Sequence, residues 1–381
     1  MRSRTVNRGL FVLALATASI SLVGCGVQPV PTPSPTASSP SPTPSPTADP
    51  LAGMTLQERV GQLFMVGTPA DTVGSDAMSA VVDRHVGSIF LSGRSDAGTD
   101  ATAGIVAQFT GAASEPLFVA TDQEGGQVQV LSGPGFSEMP SALDQGGMAP
   151  GDLQASAATW GAELKSAGVN LNLAPVADVV TGPDSTNQPI ASYDREFGYD
   201  AATVQSHAQA FVDGMHAAGV TSTVKHFPGL GYVGGNTDDT AGVTDTVVSP
   251  TNVQVFGPLI DGGAPVVMVS SAIYSLIDPS APACFSPAVV TKLLRGTLGF
   301  DGLVLTDDLS GATQVQAWSP ADRAILSIEA GADIVLVTRI PTVAPEMIDA
   351  VVAKAQDDPA FAALVDAAAR RVVEQKTTLG L

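Results

Sequence analysis

Thr223-Val-Lys-His-Phe-Pro-Gly-Leu-Gly-Tyr-Val-Gly-Gly-Asn-Thr-Asp-Asp-Thr240 sets the reading of the whole chain. A β-branched strand leads in from Val220 to Lys225. The chain then turns through Pro228, Gly229 and Gly231 and closes in a polar, acidic loop. Proline ends the strand because it lacks an amide donor, and glycine admits backbone conformations that other residues avoid. A cation pair, Lys225 and His226, therefore stands at a strand end, with Asp238 and Asp239 in the loop beyond it. That arrangement suits a small-molecule site, since function concentrates on loops held by a rigid scaffold.

Outward from this strand the same pattern recurs. Short apolar strands are expected at Leu63–Val66, Val86–Leu91, Leu117–Thr121, Val169–Leu173, Val220–Lys225, Val266–Ser270, Leu303–Thr306 and Ile334–Thr338. Helical stretches lie between them, including Ala101–Ala113 with Asp100 as its expected N-cap, Leu153–Ala167, Ala201–Ala218, Pro287–Leu298 and Pro320–Gly331. Ala344–Ala355 and Ala360–Thr378 read as terminal helices. Before the first strand, Thr55 and Glu58 have capping-box spacing. Eight strands alternating with helices fit an α/β fold, a (β/α)8 TIM barrel forming a single catalytic domain over residues 51–381. A doubly wound open sheet is the alternative, which periodicity alone does not separate. In a barrel the chemistry sits at the C-terminal strand ends. Polar residues do fall there: Asp122, Asp178, Lys225 with His226, Ser271, Asp307 with Asp308, and Arg339.

Residues 1–24 read as a signal peptide. Arg2, Arg4 and Arg8 form a basic start, and Leu10 to Val23 is an apolar run too short for a confident membrane span. Leu22-Val-Gly-Cys25 resembles a bacterial lipobox, which implies cleavage before Cys25 and lipid on it. Residues 25–50 then form a Pro/Ser/Thr-rich tether with nothing to bury. The expected location is outside the cytoplasm, anchored to the cell membrane. Of the chain's two cysteines, Cys284 is left as a small buried hydrophobe. The 381 residues carry a formal charge of −20, which argues against nucleic acid as a partner. Loss of the three leader arginines would take the charge to −23. A monomer is expected.

Several chemistries lack their residues. Gly229-Leu-Gly-Tyr-Val-Gly234 has dinucleotide-motif spacing, but Gly235-Asn-Thr-Asp-Asp follows where a helix must start. There is no G-x-S-x-G elbow. The four histidines are scattered without metal-ligand spacing, so neither metal nor cofactor is implied; His207 and His216 read as helix-surface or packing residues. Two acidic loops on one barrel face remain, and paired carboxylates are what glycoside hydrolysis requires.

Five blocks in order, Asp122-Gln-Glu-Gly-Gly126, Asn172-Leu-Ala-Pro-Val-Ala-Asp178, Arg195-Glu-Phe-Gly198, Lys225-His-Phe-Pro-Gly-x-Gly231 and Leu293 through Thr306-Asp-Asp-Leu309, resemble glycoside hydrolase family 3, in its single-domain β-N-acetylglucosaminidase branch. The resemblance implies a retaining, exo-acting hydrolysis of terminal β-linked GlcNAc, with cell-wall (peptidoglycan) fragments such as GlcNAc-containing muropeptides as the oligosaccharide substrate. It places the nucleophile at Asp307 and sugar contacts at Asp122, Arg195, Lys225 and His226. Better-known members end the strand-five loop in Asp-Ser-His, the histidine serving as acid/base. Here those positions are Asn236, Thr237 and Asp238. Asp238 is therefore the expected acid/base, with Asp239 as the alternative, and neighbouring carboxylates should raise its pKa. Leu230, Val130, Gln127 and Ser271 stand where those members carry histidine or arginine. A β-glucosidase or xylosidase of the same family, and a catalytically inactive sugar-binding lipoprotein, remain open alternatives.

Overall fold

The computed structural model describes residues 49–381 apart from positions 184 and 254. The leader, the lipobox with Cys25 and the tether up to residue 48 lie outside the described residues. Helix α1 (Leu56–Gln62) starts at the expected capping box: the Thr55 amide donates to Glu58 Oε2 at 2.6 Å and the Glu58 amide to Thr55 Oγ1 at 3.3 Å.

Eight parallel strands close into one barrel: β1 (Phe64–Pro69), β2 (Ser88–Ser92), β3 (Phe118–Thr121), β4 (Leu171–Asn172), β5 (Thr221–Phe227), β6 (Val266–Val269), β7 (Leu303–Asp308) and β8 (Ile334–Val337). Each neighbours its sequence partner, and β8 closes on β1 through Met65 opposite Leu336. The open-sheet alternative is thereby removed. Side chains alternate along each strand, so one face of every strand fills the barrel and the other meets the helices. Met65, Phe90, Phe118, Ala120, Leu171, Val266, Leu305 and Leu336 make the inner cluster. Phe64, Val66, Ile89, Val119, Val224, Val267, Val304 and Val335 join the outer core. Burying each large apolar side chain contributes roughly 1.5–3 kcal/mol, offset by conformational entropy.

The helical layer comprises α2 (Ser75–Arg84), α3 (Gly98–Ala112), α4 (Pro150–Ser166), α5 (Ala201–Ala217), α6 (Phe256–Asp261), a π-helical segment (Ala288–Thr297), α7 (Pro320–Ala330), α8 (Ala344–Asp357) and α9 (Pro359–Thr378). His207 lies on α5, packed inward: its ring nitrogens bond the carbonyls of Thr203 (2.8 Å) and Met148 (2.9 Å). Cys284 is buried, as expected. The last helix also seals the N-terminal end of the barrel. Its Val372 enters the inner cluster, and Lys376 Nζ bonds Gln62 Oε1 at 2.6 Å and stands 5.5 Å from the Phe118 ring centroid.

Three local expectations are corrected. Asp100 does not cap α3: the helix begins three residues earlier than expected, at Gly98 with Ala97 at the cap, leaving Asp100 in the first turn, where a negative charge still suits the helix dipole. The segment expected to be an α-helix at 287–298 is π-helical over Ala288–Thr297. The fourth strand is two residues long rather than five, although single backbone bonds flank it, from the Asn170 amide to the Val119 carbonyl (3.1 Å) and from the Leu173 amide to the Thr121 carbonyl (2.9 Å). Pairing to β5 resumes irregularly, with Lys225 N on the Pro175 carbonyl at 3.2 Å.

Candidate active site

A cavity of about 540 Å³ opens at the C-terminal ends of the strands. Asp122, Arg195, Lys225, His226, Asp238 and Asp307 all line it, so every cavity position expected from sequence is brought together. The volume falls within the range of small-ligand pockets.

The floor is an ion-pair cluster. Lys225 Nζ lies 2.8 Å from Asp122 Oδ1 and 2.6 Å from Glu124 Oε1. Arg195 grips Glu124 in a fork, Nε to Oε2 at 2.8 Å and Nη2 to Oε1 at 2.7 Å, and its Nη1 donates to the Pro189 carbonyl at 2.7 Å. Burial by itself pushes the Glu124 carboxyl up; Arg195 and Lys225 overcome that and hold it down at about 2. Burial works against the charges on Arg195 and Lys225 too, and the facing carboxylates raise both above their ordinary values. Glu124 is therefore a buried anion that fixes two cations at the cavity wall. Asp122 keeps 30% of its side-chain surface exposed, so it is the member of the cluster open to a ligand.

His226 is set the same way from the loop after β4. Asp178, fully buried, accepts from His226 Nδ1 at 2.7 Å, from the His226 amide at 3.3 Å and from the Leu230 amide at 2.7 Å. A carboxylate on Nδ1 assigns the proton to that nitrogen and leaves Nε2 for a ligand. The peptides Lys225–His226 and Phe227–Pro228 are cis, and the side chains of Lys225 and His226 both line the cavity. The glycine turn runs against the β4 loop, where a Cβ on residue 231 would collide with the Val179 carbonyl.

The two carboxylates of β7 differ in duty. Asp308 is nearly buried and wholly occupied: Oδ1 accepts from Ser310 Oγ (2.7 Å), the Thr338 amide (2.7 Å) and Thr338 Oγ1 (3.0 Å), and Oδ2 from the Gly311 amide (2.7 Å). Among the described residues Asp307 has only the Asp308 amide on Oδ1 (2.8 Å) and Ser271 Oγ on Oδ2 (3.4 Å). It caps no helix; α7 is capped by Ser319.

Across the cavity stands the acidic loop after β5. Thr313 N and Oγ1 donate to the Asp238 carbonyl at 3.0 and 2.9 Å, and Gln314 N to the Thr237 carbonyl at 3.0 Å. The Asp238 side chain keeps 44% of its surface through the open mouth, while the cavity wall desolvates its carboxyl. That desolvation, with Asp307, Asp308 and Asp239 adding to it and Arg339 opposing, raises its pKa to about 6.

Glu124, Asp178 and Asp308 were visible in sequence only as polar residues at or near strand ends. Their duties arise largely from partners far along the chain: Arg195 and Lys225 for Glu124, His226 for Asp178 and Thr338 for Asp308. Arg94, in the loop after β2, was not singled out; it lines the cavity and donates to the Gln127 carbonyl at 2.6 Å. Of the positions that differ from the better-known relatives, Leu230 lines the cavity and Val130 is buried outside its lining. Among the described residues no group of His, Cys, Asp and Glu is arranged to hold a metal ion.

Residues 55–375 match the family described as Glycosyl hydrolase family 3 N terminal domain. A beta-hexosaminidase of Stenotrophomonas maltophilia (strain R551-3) is 32% identical over 297 residues, 75% of this chain and 85% of that protein. One from Xanthomonas campestris pv. campestris (strain B100) is 30% identical over 318 residues, 80% and 92% of the two chains. Among solved structures, the β-N-acetylhexosaminidase of Beutenbergia cavernae DSM 12333 superposes with a TM-score of 0.85 at 60% identity, covering 87% of this chain and all of that one. A glycoside hydrolase family 3 β-N-acetylglucosaminidase from Paenibacillus sp. str. FPU-7 gives 0.78 at 30% identity, covering 86% and 64%.

Proposed function

The chain belongs to glycosyl hydrolase family 3, and from that premise we propose that it is a retaining, exo-acting β-N-acetylglucosaminidase. One observation carries the reading. A carboxyl that keeps its proton to about pH 6, Asp238, faces the little-engaged carboxylate of Asp307 in a sugar-sized cavity. Retaining glycosidases use such a pair.

An Asp307 oxygen attacks the anomeric carbon as the bond from that carbon to the leaving oxygen breaks. Asp238 gives its proton to that oxygen, and the alcohol departs. A water then attacks the glycosyl–Asp307 ester, losing its proton to the Asp238 carboxylate, and Asp307 is released. Asp122 and His226 hold sugar hydroxyls and the acetamido group, while Lys225 and Arg195, pinned by Glu124, supply preorganised donors that cost no reorganisation at the transition state.

Cell-wall fragments ending in β-linked GlcNAc fit this chemistry, and the lipobox at Cys25 with its tether would hold the domain beside the membrane. We propose a monomer; sedimentation as a stable dimer would overturn that part. The activity is tested by assaying aryl β-GlcNAc and aryl β-glucoside side by side, then a GlcNAc-terminated muropeptide. Preference for the glucoside would reassign the substrate, and sugar binding without turnover would remove the catalytic reading altogether.

A further inference from the structure

We propose that Arg339, after β8, is a positioning residue: it latches the acid-bearing loop across the barrel mouth and keeps the Asp238 carboxyl aimed at Asp307. The proposal rests on Asp238 being the acid/base.

The contacts are made by one guanidinium. Arg339 Nη1 lies 3.3 Å from Asp238 Oδ1 and donates to the carbonyl oxygen of the same residue at 3.2 Å. Nη2 lies 3.6 Å from Asp239 Oδ1. Side chain, main chain and neighbour of the acid are thus held together. A planar, forked cation spans such a set, whereas a point charge holds one member at a time.

The arginine is itself anchored. Its amide approaches Asp308 Oδ1 at 3.4 Å, beside the Thr338 donors already on that oxygen, and the Ile340 amide donates to Ser310 Oγ at 2.9 Å. Its stem runs over Gly311, where a Cβ would stand 2.6 Å from Arg339 Cβ, so the absence of a side chain there lets the arginine reach the loop. Asp308 therefore has a purpose beyond tying two strand ends: it fixes the base of the latch. Arg339 keeps 44% of its surface exposed, and ion pairs this exposed add little to folding stability. The pair has a catalytic use instead. As the proton leaves Asp238, an anion forms amid Asp307 and Asp308 from β7 and Asp239 from its own loop, with Lys225 and His226 on the β5 wall of the same cavity. Arg339 is the cation bonded to it.

The test compares Arg339→Gln and Arg339→Lys with the wild type on two β-GlcNAc substrates. A dinitrophenyl glycoside needs no protonation of its leaving group; a GlcNAc-terminated disaccharide does. We expect Arg339→Gln to lose about tenfold or more in kcat/KM on the disaccharide and less than about twofold on the dinitrophenyl glycoside, general-acid help being worth 10²–10⁴. With the opposing cation gone, the alkaline limb of the disaccharide profile should also move to higher pH. Arg339→Lys should return the limb toward its wild-type position while keeping part of the rate loss. Equal losses on both substrates, or an unmoved limb, would overturn the latch. Should Arg339→Gln fail to fold, the leaving-group split in Arg339→Lys decides alone. Failure of the underlying reading is distinct: Asp238→Asn would then show no leaving-group selectivity at all.

Discussion

In the proposed mechanism Asp238 and Asp307 divide the chemistry because their surroundings differ. Asp307 keeps two light contacts and stays available to attack, while the cavity wall and three nearby carboxylates make Asp238 reluctant to ionise. The sign for pH follows: the acid acts protonated, so kcat/KM should fall as pH rises through about 6. Asp238→Asn should remove that limb and cost on the order of 10²-fold or more on substrates with poor leaving groups, with activated aryl glycosides far less affected. A limb that survives in Asp238→Asn would point to Asp239. Asp122, Lys225, His226 and Asp307 were legible as strand-end residues, where barrel topology places chemistry, whereas Arg195 and the role of Asp238 came from the family resemblance. Glu124, Asp178 and Asp308 were not legible in their roles, because their duty is to hold Lys225 with Arg195, His226 and Thr338 over long sequence separations.

At the scale of elements, the strands were the most readable part, since parallel barrel strands buried on both faces are almost continuously apolar. Their ends were less so. β5 runs on to Phe227 and β7 to Asp308, which carries the catalytic ends deeper into the ladder than the apolar runs implied. α9 hides the least expected group. Lys376 is 3% exposed, and burial lowers its pKa to about 7. A base depressed in the folded state disfavours folding most where both states are protonated. That cost is full below about pH 7 and relieved as pH rises toward the ordinary lysine value. Lys376→Met should therefore stabilise the fold at pH 6, by less than the charge term alone because Gln62 Oε1 loses its donor. The gain should shrink between pH 7 and 10 in thermal unfolding. A gain independent of pH would mean that packing, not charge, sets it.

For the whole molecule, the barrel is one hydrophobic layer inside a ring of strands and a second between strands and helices, and the site is a lining of its open end. The fold class was readable because eight strand–helix repeats leave few other topologies. The choice between closed barrel and open sheet was not, since it depends on β8 meeting β1, which no local pattern encodes. Among the described residues no helix is long and apolar enough to cross a membrane. Membrane attachment therefore rests on the proposal at Cys25. Cys25→Ser should move the protein from the membrane to the soluble fraction on fractionation, with kcat/KM on a small aryl β-GlcNAc unchanged within about twofold. Continued membrane retention would contradict the lipid anchor.

The central claim is that Asp307 forms a covalent bond with the sugar. A fluorinated N-acetylglucosaminyl inactivator should trap that ester, and digestion followed by mass mapping should find the sugar's mass on Asp307, within the Thr306-to-Ser310 peptide, with Asp307→Asn unlabelled and reduced about 10⁴-fold or more in turnover. Turnover of β-GlcNAc by a protein that takes no label, or takes it at another carboxylate, would contradict the account.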